Sequence, residues 1–188
     1  MDAHVLVPVK RLDEAKSRLA EVLGPEEREA LMRRLLEAVV GAVRGAGIER
    51  ITLVTSEPLS LPGVERSDDR GLAWNEALRV AMLEVRTPVA TIISADLPLL
   101  QPEEVVALID ATPERGIAIA RATDRGTNAV SMRPPGALTT CFGEPESARV
   151  HADAARALGL DYAIVDLPGL AFDVDTPADL ERLEAAVA

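Results

Sequence analysis

The sequence predicts an α/β protein with one domain and a mostly parallel central sheet, on three observations. Short apolar runs alternate with longer stretches of helical periodicity, the pattern of strand–helix crossovers. The run Ala90-Thr91-Ile92-Ile93-Ser94-Ala95 is short enough for a strand buried on both faces, and it ends on a carboxylate, Asp96. The chain has 188 residues, of which 48% are hydrophobic: enough for one full core, too few for two. We therefore treat residues 1–188 as one domain.

Pro98 prevents the central strand from pairing further, because proline has no N–H to give to the ladder. Pro102 then opens a helix, with Glu103 and Glu104 in its first turn and its end near Ala111. Asp96 thus stands at the carboxyl end of an interior strand, where open α/β sheets bind their ligands. Asp96 could also merely cap the turn; the buried strand that aims it favours the functional reading.

Composition narrows the partners. A net charge of −11 disfavours a general nucleic-acid binder, which needs a basic face. Cys141, the one cysteine, cannot form an internal disulfide and reads as a lone buried thiol in a reducing cytosol. No apolar run reaches membrane-spanning length and the first residues lack a signal-peptide pattern, so a cytoplasmic location and no membrane partner are expected.

Taken from the start, Val5–Val9 forms a first buried strand with Pro8 near its end. The loop behind it carries Lys10 and Lys16, the only two lysines among 20 cationic residues. Arginine bias explains the excess of Arg but not why both lysines fall in one loop. A compact ammonium is a point-charge ligand for phosphate oxygens. A solvated helix face with a Glu14–Arg18 pair is the bland alternative. Neither a Walker A loop nor Gly-x-Gly-x-x-Gly is present.

Gly24-Pro25-Glu26-Glu27 starts a long helix whose core stripe is Leu31, Leu35, Leu36, Val39, Val40 and Val43, and Gly45-Ala46-Gly47 ends it. Ile51–Thr55 is the second strand and Val64–Ser67 a short edge strand. The next helix turns Ala77, Leu78, Ala81, Met82 and Val85 inward. Ahead of it, Gly71 suggests a special dihedral or close approach. Asn75 either caps this helix or reads a base edge, with capping favoured, and Trp74 is assigned to the core.

Gly116–Arg121 is a further strand, and residues 124–132 pass from loop into strand. Gly126-Thr127-Asn128 offers a backbone N–H, a hydroxyl and an amide together. Ser147 is read as the N-cap of a helix that carries Arg149 and a packed His151. Its N-terminus could hold an anion, although an ordinary cap explains it as well. Tyr162–Leu167 is a late strand. Asp173 and Asp175 alternate about Val174, so in an extended segment both carboxylates point one way. Thr176 caps the last helix, Pro177 opens it, and Asp179 sits in its first turn. Capping requires Thr176 and Asp179 only; the surplus acids, with Asp96, could hold a hard divalent cation.

In this order, five motifs resemble one family: Val-Pro-Val-Lys with Glu-Ala-Lys-Ser-Arg-Leu in 7–19, Ala-Asp-Leu-Pro-Leu-Leu in 95–100, Gly-Thr-Asn-Ala in 126–129, Phe-Gly with Ser-Ala-Arg in 142–149, and Asp-Val-Asp-Thr-Pro-Ala-Asp-Leu in 173–180. The family is the 2-phospholactate/phosphoenolpyruvate guanylyltransferases of coenzyme F-420 biosynthesis. The resemblance implies a three-layer αβα, Rossmann-like nucleotidyltransferase fold. It implies GTP and a small phosphorylated carboxylic acid as partners, Mg²⁺ as cofactor, and allows a homodimer. Lys16 and Asp96 would be catalytic. Pro8, Lys10, Lys16, Arg18, Gly71, Asn75 and Ala95 would bind the nucleotide; Thr127, Asn128, Gly143, Ser147 and Arg149 the acceptor; Asp96, Asp175 and Asp173 the metal. Where the family usually shows Gly-Leu-Asn, Ala73-Trp74 here separates Leu72 from Asn75. Other acceptors (3-phosphoglycerate, molybdopterin, a sugar phosphate) and a non-catalytic nucleotide-binding regulator are the alternatives.

Overall fold

A computed structural model of the chain describes residues 1–11 and 16–187. The proposed Glu14–Arg18 pair lies outside the described residues. Seven strands, β1 (Ala3–Pro8), β2 (Arg50–Val54), β3 (Glu65–Ser67), β4 (Val89–Ile93), β5 (Gly116–Arg121), β6 (Thr127–Arg133) and β7 (Asp161–Val165), form one sheet in the order β3-β2-β1-β4-β6-β5-β7. Every pairing is parallel except the two made by β6. The link 122–126 is too short for the crossover that a parallel neighbour needs, so β6 runs back against β5.

Among the described residues six helices flank the sheet: α1 (Pro25–Gly45), α2 (Trp74–Met82), α3 (Pro102–Asp110), α4 (Ser147–Ala157), α5 (Pro168–Ala171) and α6 (Pro177–Val187). Strand alternation separates two cores. Val5 and Val7 of β1 and Ala118 and Ala120 of β5 face α1 and α3. Leu6, Ile117 and Ile119 face α2 and α4. This is the three-layer αβα arrangement, and the predicted stripes of α1 and α2 are buried throughout.

A third, smaller cluster positions the site. Leu19, from a 3-10 turn at Ser17–Leu19, packs with Leu31 and Leu35 of α1 and with Phe172 and Val174. Burying one such leucine stabilises by roughly 1.5–3 kcal/mol. The cluster therefore fastens two segments far apart in sequence to one helix, and these segments carry Lys16 and Asp175.

Three local expectations need correction. Glu146, at φ 52°, is the N-cap of α4, and Ser147 is already helical and buried. Its hydroxyl turns toward β6 instead of capping. Asn75 does not cap α2: Ala73 holds that place, and the Asn75 amide serves the loop at 140–142. Trp74 is only half buried: it opens α2 and packs against the core beneath α2 on one side while lining the rim of a cleft on the other. Short α5 carries too few residues for a periodic signal. It docks through the Gly169 N–H, which donates to Glu104 at 2.7 Å.

Candidate active site

The carboxyl ends of β1 and β4 open into a cleft of about 510 Å³. Asp96 lies in the turn three residues beyond β4. That turn is tied down on both sides: the Ser94 N–H donates to the Asn128 carbonyl at 2.8 Å, and the Asp96 carbonyl accepts from Val174 N–H at 3.4 Å. Because Phe172 and Val174 are buried in the small cluster, alternation turns Asp173 and Asp175 toward Asp96. The segment ends in a reciprocal cap, with Thr176 N–H donating to the Asp179 carboxylate at 2.9 Å and Asp179 N–H to the Thr176 hydroxyl at 3.3 Å.

One carboxylate oxygen from each of Asp96, Asp173 and Asp175 lies within 4.8 Å of the others. The Lys16 ammonium donates to Asp96 at 2.5 Å and to Asp175 at 2.8 Å, with its side chain only 4% exposed. Lys16 reaches them from a left-handed backbone position, φ 54°. Burial works against the Lys16 charge; Asp96 and Asp175 outweigh it, so its pKa is raised. Arg18 stands at 3.9 Å from Asp175. The Asp173 carboxyl is pushed up to about 6, first by burial and then by the Asp96 charge. The Asn128 amide, donating to it at 3.3 Å, offsets part of that rise. Three hard oxygen donors in this spacing suit a divalent cation, and the charge they accumulate explains why a cation, here Lys16, is held among them.

The opposite wall is neutral. His151 is fully buried, and its ring is held at both nitrogens. Nε2 accepts from the Cys141 N–H at 2.9 Å, and Nδ1 meets the Thr127 hydroxyl at 3.1 Å. The Ser147 hydroxyl donates to Thr127 at 2.9 Å. Burial pushes His151 down to about 4, so it is uncharged at neutral pH. The Cys141 thiol is pushed up to about 11 by burial and by Glu144, so it is no nucleophile. Asn75 holds the neighbouring loop by donating to the Phe142 carbonyl at 3.0 Å and accepting from its N–H at 2.9 Å. Lys10 lies over the Trp74 ring, 4.6 Å from its centre.

Of the residues singled out in the sequence, Pro8, Lys10, Lys16, Arg18, Ala95, Asp96, Thr127, Asn128, Gly143, Asp173 and Asp175 line this cleft. Four others do not. Gly71 sits in an exposed turn at φ 67°. Asn75 supports the cleft from behind through Phe142. Ser147 is buried beneath Thr127. Arg149 is exposed and paired with Glu146 and Asp153. The sequence marks His151 and Trp74 as packing residues only, yet His151 holds Thr127 and Trp74 lines the cleft. The spacing Ser147-x-x-x-His151, one helical turn, was the available sign that both side chains share a face.

The family model described as guanylyl transferase CofC like matches residues 3–185. The chain belongs to that family. It is 40% identical to the phosphoenolpyruvate guanylyltransferase of Rubrobacter xylanophilus over 99% of this chain and 95% of that one. It is 42% identical to the enzyme of the same name from Sphaerobacter thermophilus, over 97% and 93%. The 2-phospho-L-lactate guanylyltransferase of Methanosarcina mazei is 32% identical over 96% and 85%. Among solved structures, a protein from Desulfovibrio desulfuricans G20 superposes with a TM-score of 0.79 at 20% identity, covering 97% of this chain and 86% of that one. A nucleotidyl transferase from Methanothermobacter does so with 0.71 at 15% identity, over 98% and 96%. The fold is that of the nucleotidyltransferases, and the protein is a nucleotidyltransferase enzyme. Among the described residues no helix is long and apolar enough to cross a membrane.

Proposed function

We propose that the chain, as one nucleotidyltransferase domain, transfers GMP from GTP to a small phosphorylated carboxylic acid in coenzyme F-420 biosynthesis. Phosphoenolpyruvate is the first candidate acceptor and 2-phospho-L-lactate the second, following the names of its relatives. A phosphate oxygen of the acceptor attacks the α-phosphorus of GTP, the bond to the β-phosphate oxygen breaks, and pyrophosphate leaves. The observation that carries the reading is the meeting of three carboxylates and Lys16 at the carboxyl edge of the sheet.

Both substrates are anions, so the protein's task is positioning and charge neutralisation. Lys10, Lys16 and Arg18 meet the triphosphate, with Pro8 and Ala95 as its backbone walls. Lys16 also faces the charge that grows on the transferring phosphoryl group. Gly71 and Asn75 serve the guanine end, Asn75 through the loop it holds. Thr127, Asn128 and Gly143 face the acceptor, with Ser147 behind Thr127 and Arg149 at the outer rim. Asp96 and Asp175, helped by Asp173, would hold Mg²⁺, whose oxygen-preferring charge would bring phosphate oxygens to these carboxylates. The protein needs no nucleophile of its own, in keeping with the inert Cys141. The one unpaired cysteine suits a reducing compartment, and the cytoplasm is the proposed location.

Pyrophosphate release with GTP and each of phosphoenolpyruvate, 2-phospho-L-lactate and 3-phosphoglycerate tests the reading. Release with one of the first two acceptors, dependent on Mg²⁺, is expected. GTP binding without release for any phospho-acid would make the protein a nucleotide-binding regulator instead.

A further inference from the structure

We propose that His151 is a positioning residue that fixes the Thr127 hydroxyl as a hydrogen-bond donor into the cleft, so that Thr127 selects an anionic oxygen of the acceptor. This rests on the functional reading above and deepens it. The argument is one of proton placement. The backbone N–H of Cys141 is a donor only, so the Nε2 it reaches, at 2.9 Å, carries no proton. In a neutral imidazole the proton then lies on Nδ1. Nδ1 therefore donates to the Thr127 oxygen at 3.1 Å and cannot accept from it.

Ser147 donates to that same oxygen at 2.9 Å, and its buried hydroxyl has no other acceptor among the described residues. Both lone pairs of the Thr127 oxygen are then used. Its own proton has no acceptor left among the described residues, and Thr127 lines the cleft. An unmade buried donor is costly, so the site favours a ligand atom that can only accept: a phosphate or carboxylate oxygen. A hydroxyl offered by a neutral acceptor is accommodated less well, because Thr127 cannot accept from it. His151 itself touches no substrate. It packs edge-on against Phe142, 5.4 Å between ring centres, which holds the imidazole plane in the orientation both hydrogen bonds require.

The test uses the full chain, GTP and phosphoenolpyruvate. His151→Phe keeps the ring and its packing but removes both hydrogen bonds. It is expected to raise KM for phosphoenolpyruvate by about ten- to a hundredfold and leave KM for GTP within about twofold. His151→Asn, whose amide can still donate near the Nδ1 position, should recover about half of that loss on a logarithmic scale. Thr127→Val should match His151→Phe, and the double variant should cost little more, because both act through one proton. A purely structural role would lower Tm and weaken both substrates together.

A folded His151→Phe protein with parental KM for phosphoenolpyruvate would overturn the assignment. If that variant does not fold, His151→Asn decides: a clearly smaller effect than Thr127→Val supports the assignment, an equal effect overturns it. Absence of pyrophosphate release by the parent protein would overturn the functional reading instead. Calorimetric titration with phosphoenolpyruvate then settles the role of His151, since binding that weakens in His151→Phe supports it and unchanged binding overturns it.

Discussion

On one wall of the cleft, Lys16 lies between Asp96 and Asp175 with Asp173 beside them; on the other, Thr127 is held from behind by His151 and Ser147, and Asn75 holds the neighbouring loop. The first wall is a concentration of like charge relieved by a cation. Lys16 can exchange a carboxylate partner for a phosphate because an ion pair depends weakly on angle. The second wall is a set of directional hydrogen bonds that leaves one donor, the Thr127 hydroxyl, for a ligand. The charged wall is thus suited to reaction chemistry and the neutral wall to recognition.

The largest effect should come from the charged wall. Asp96→Asn is nearly isosteric, so it should keep the fold and lose about 10²–10³ in Mg²⁺-dependent turnover. Asp175→Asn should behave likewise. The double variant should cost much less than the product of the two losses, because both act through one ion. Independent, multiplying losses would separate the two carboxylates functionally and break the contrast between the walls.

The neutral wall should reveal itself through acid. In the folded protein His151 is held down to about 4 against 6.5 ordinarily. Between those values the unfolded chain binds the proton and the folded chain does not. Stability is therefore full above about pH 6.5 and falls as pH drops toward 4, by on the order of 3 kcal/mol in all. Urea midpoints across that range, in the parent and in His151→Asn, measure this; the variant should show a flatter acid limb. Equal limbs would place the acid sensitivity elsewhere.

Lys16→Ala should lose about one to two decades in turnover, the worth of one charge-assisted phosphate contact. Arg44→Ala, on the outer face of α1 where the guanidinium donates to the Pro62 carbonyl, should change turnover little. Equal rates for the two variants would leave Lys16 as a structural counter-ion of Asp96 and Asp175 with no part in turnover. A smaller effect, with stability and turnover moving apart, is expected of Asp173→Asn. Its carboxyl, pushed up to about 6, is ionised at pH 7.5 against burial and the Asp96 charge. Removing that charge should raise stability by about 1 kcal/mol in metal-free buffer while lowering turnover. A lower Tm would mean that Asp173 supports the fold and is not strained by its neighbours.

The sequence by itself determined the strands β1, β2, β4 and β5, the buried stripe of α1 and the cap of α6. Each of these is a local pattern: an apolar run bounded by proline, a repeat of about four residues, a Thr-x-x-Asp pair. It also marked Lys16, because both lysines fall in one loop, Asp96, because a buried strand ends on it, and Asp173 and Asp175, because they are in surplus over what the cap needs. Only the tertiary structure decided how they meet. Lys16 and Asp175 are 159 positions apart, and they are joined by Leu19, Leu31, Leu35, Phe172 and Val174 packing into one small core. Apolar burial carries no direction, so no local pattern announces which segments will share it. The roles of Asn75, Ser147 and His151 were likewise hidden: side chains that favour caps in isolation find different partners once a loop 67 positions away is folded against them. Hydrogen bonds are satisfied by whatever the packed backbone brings near, and that is fixed by the fold as a whole.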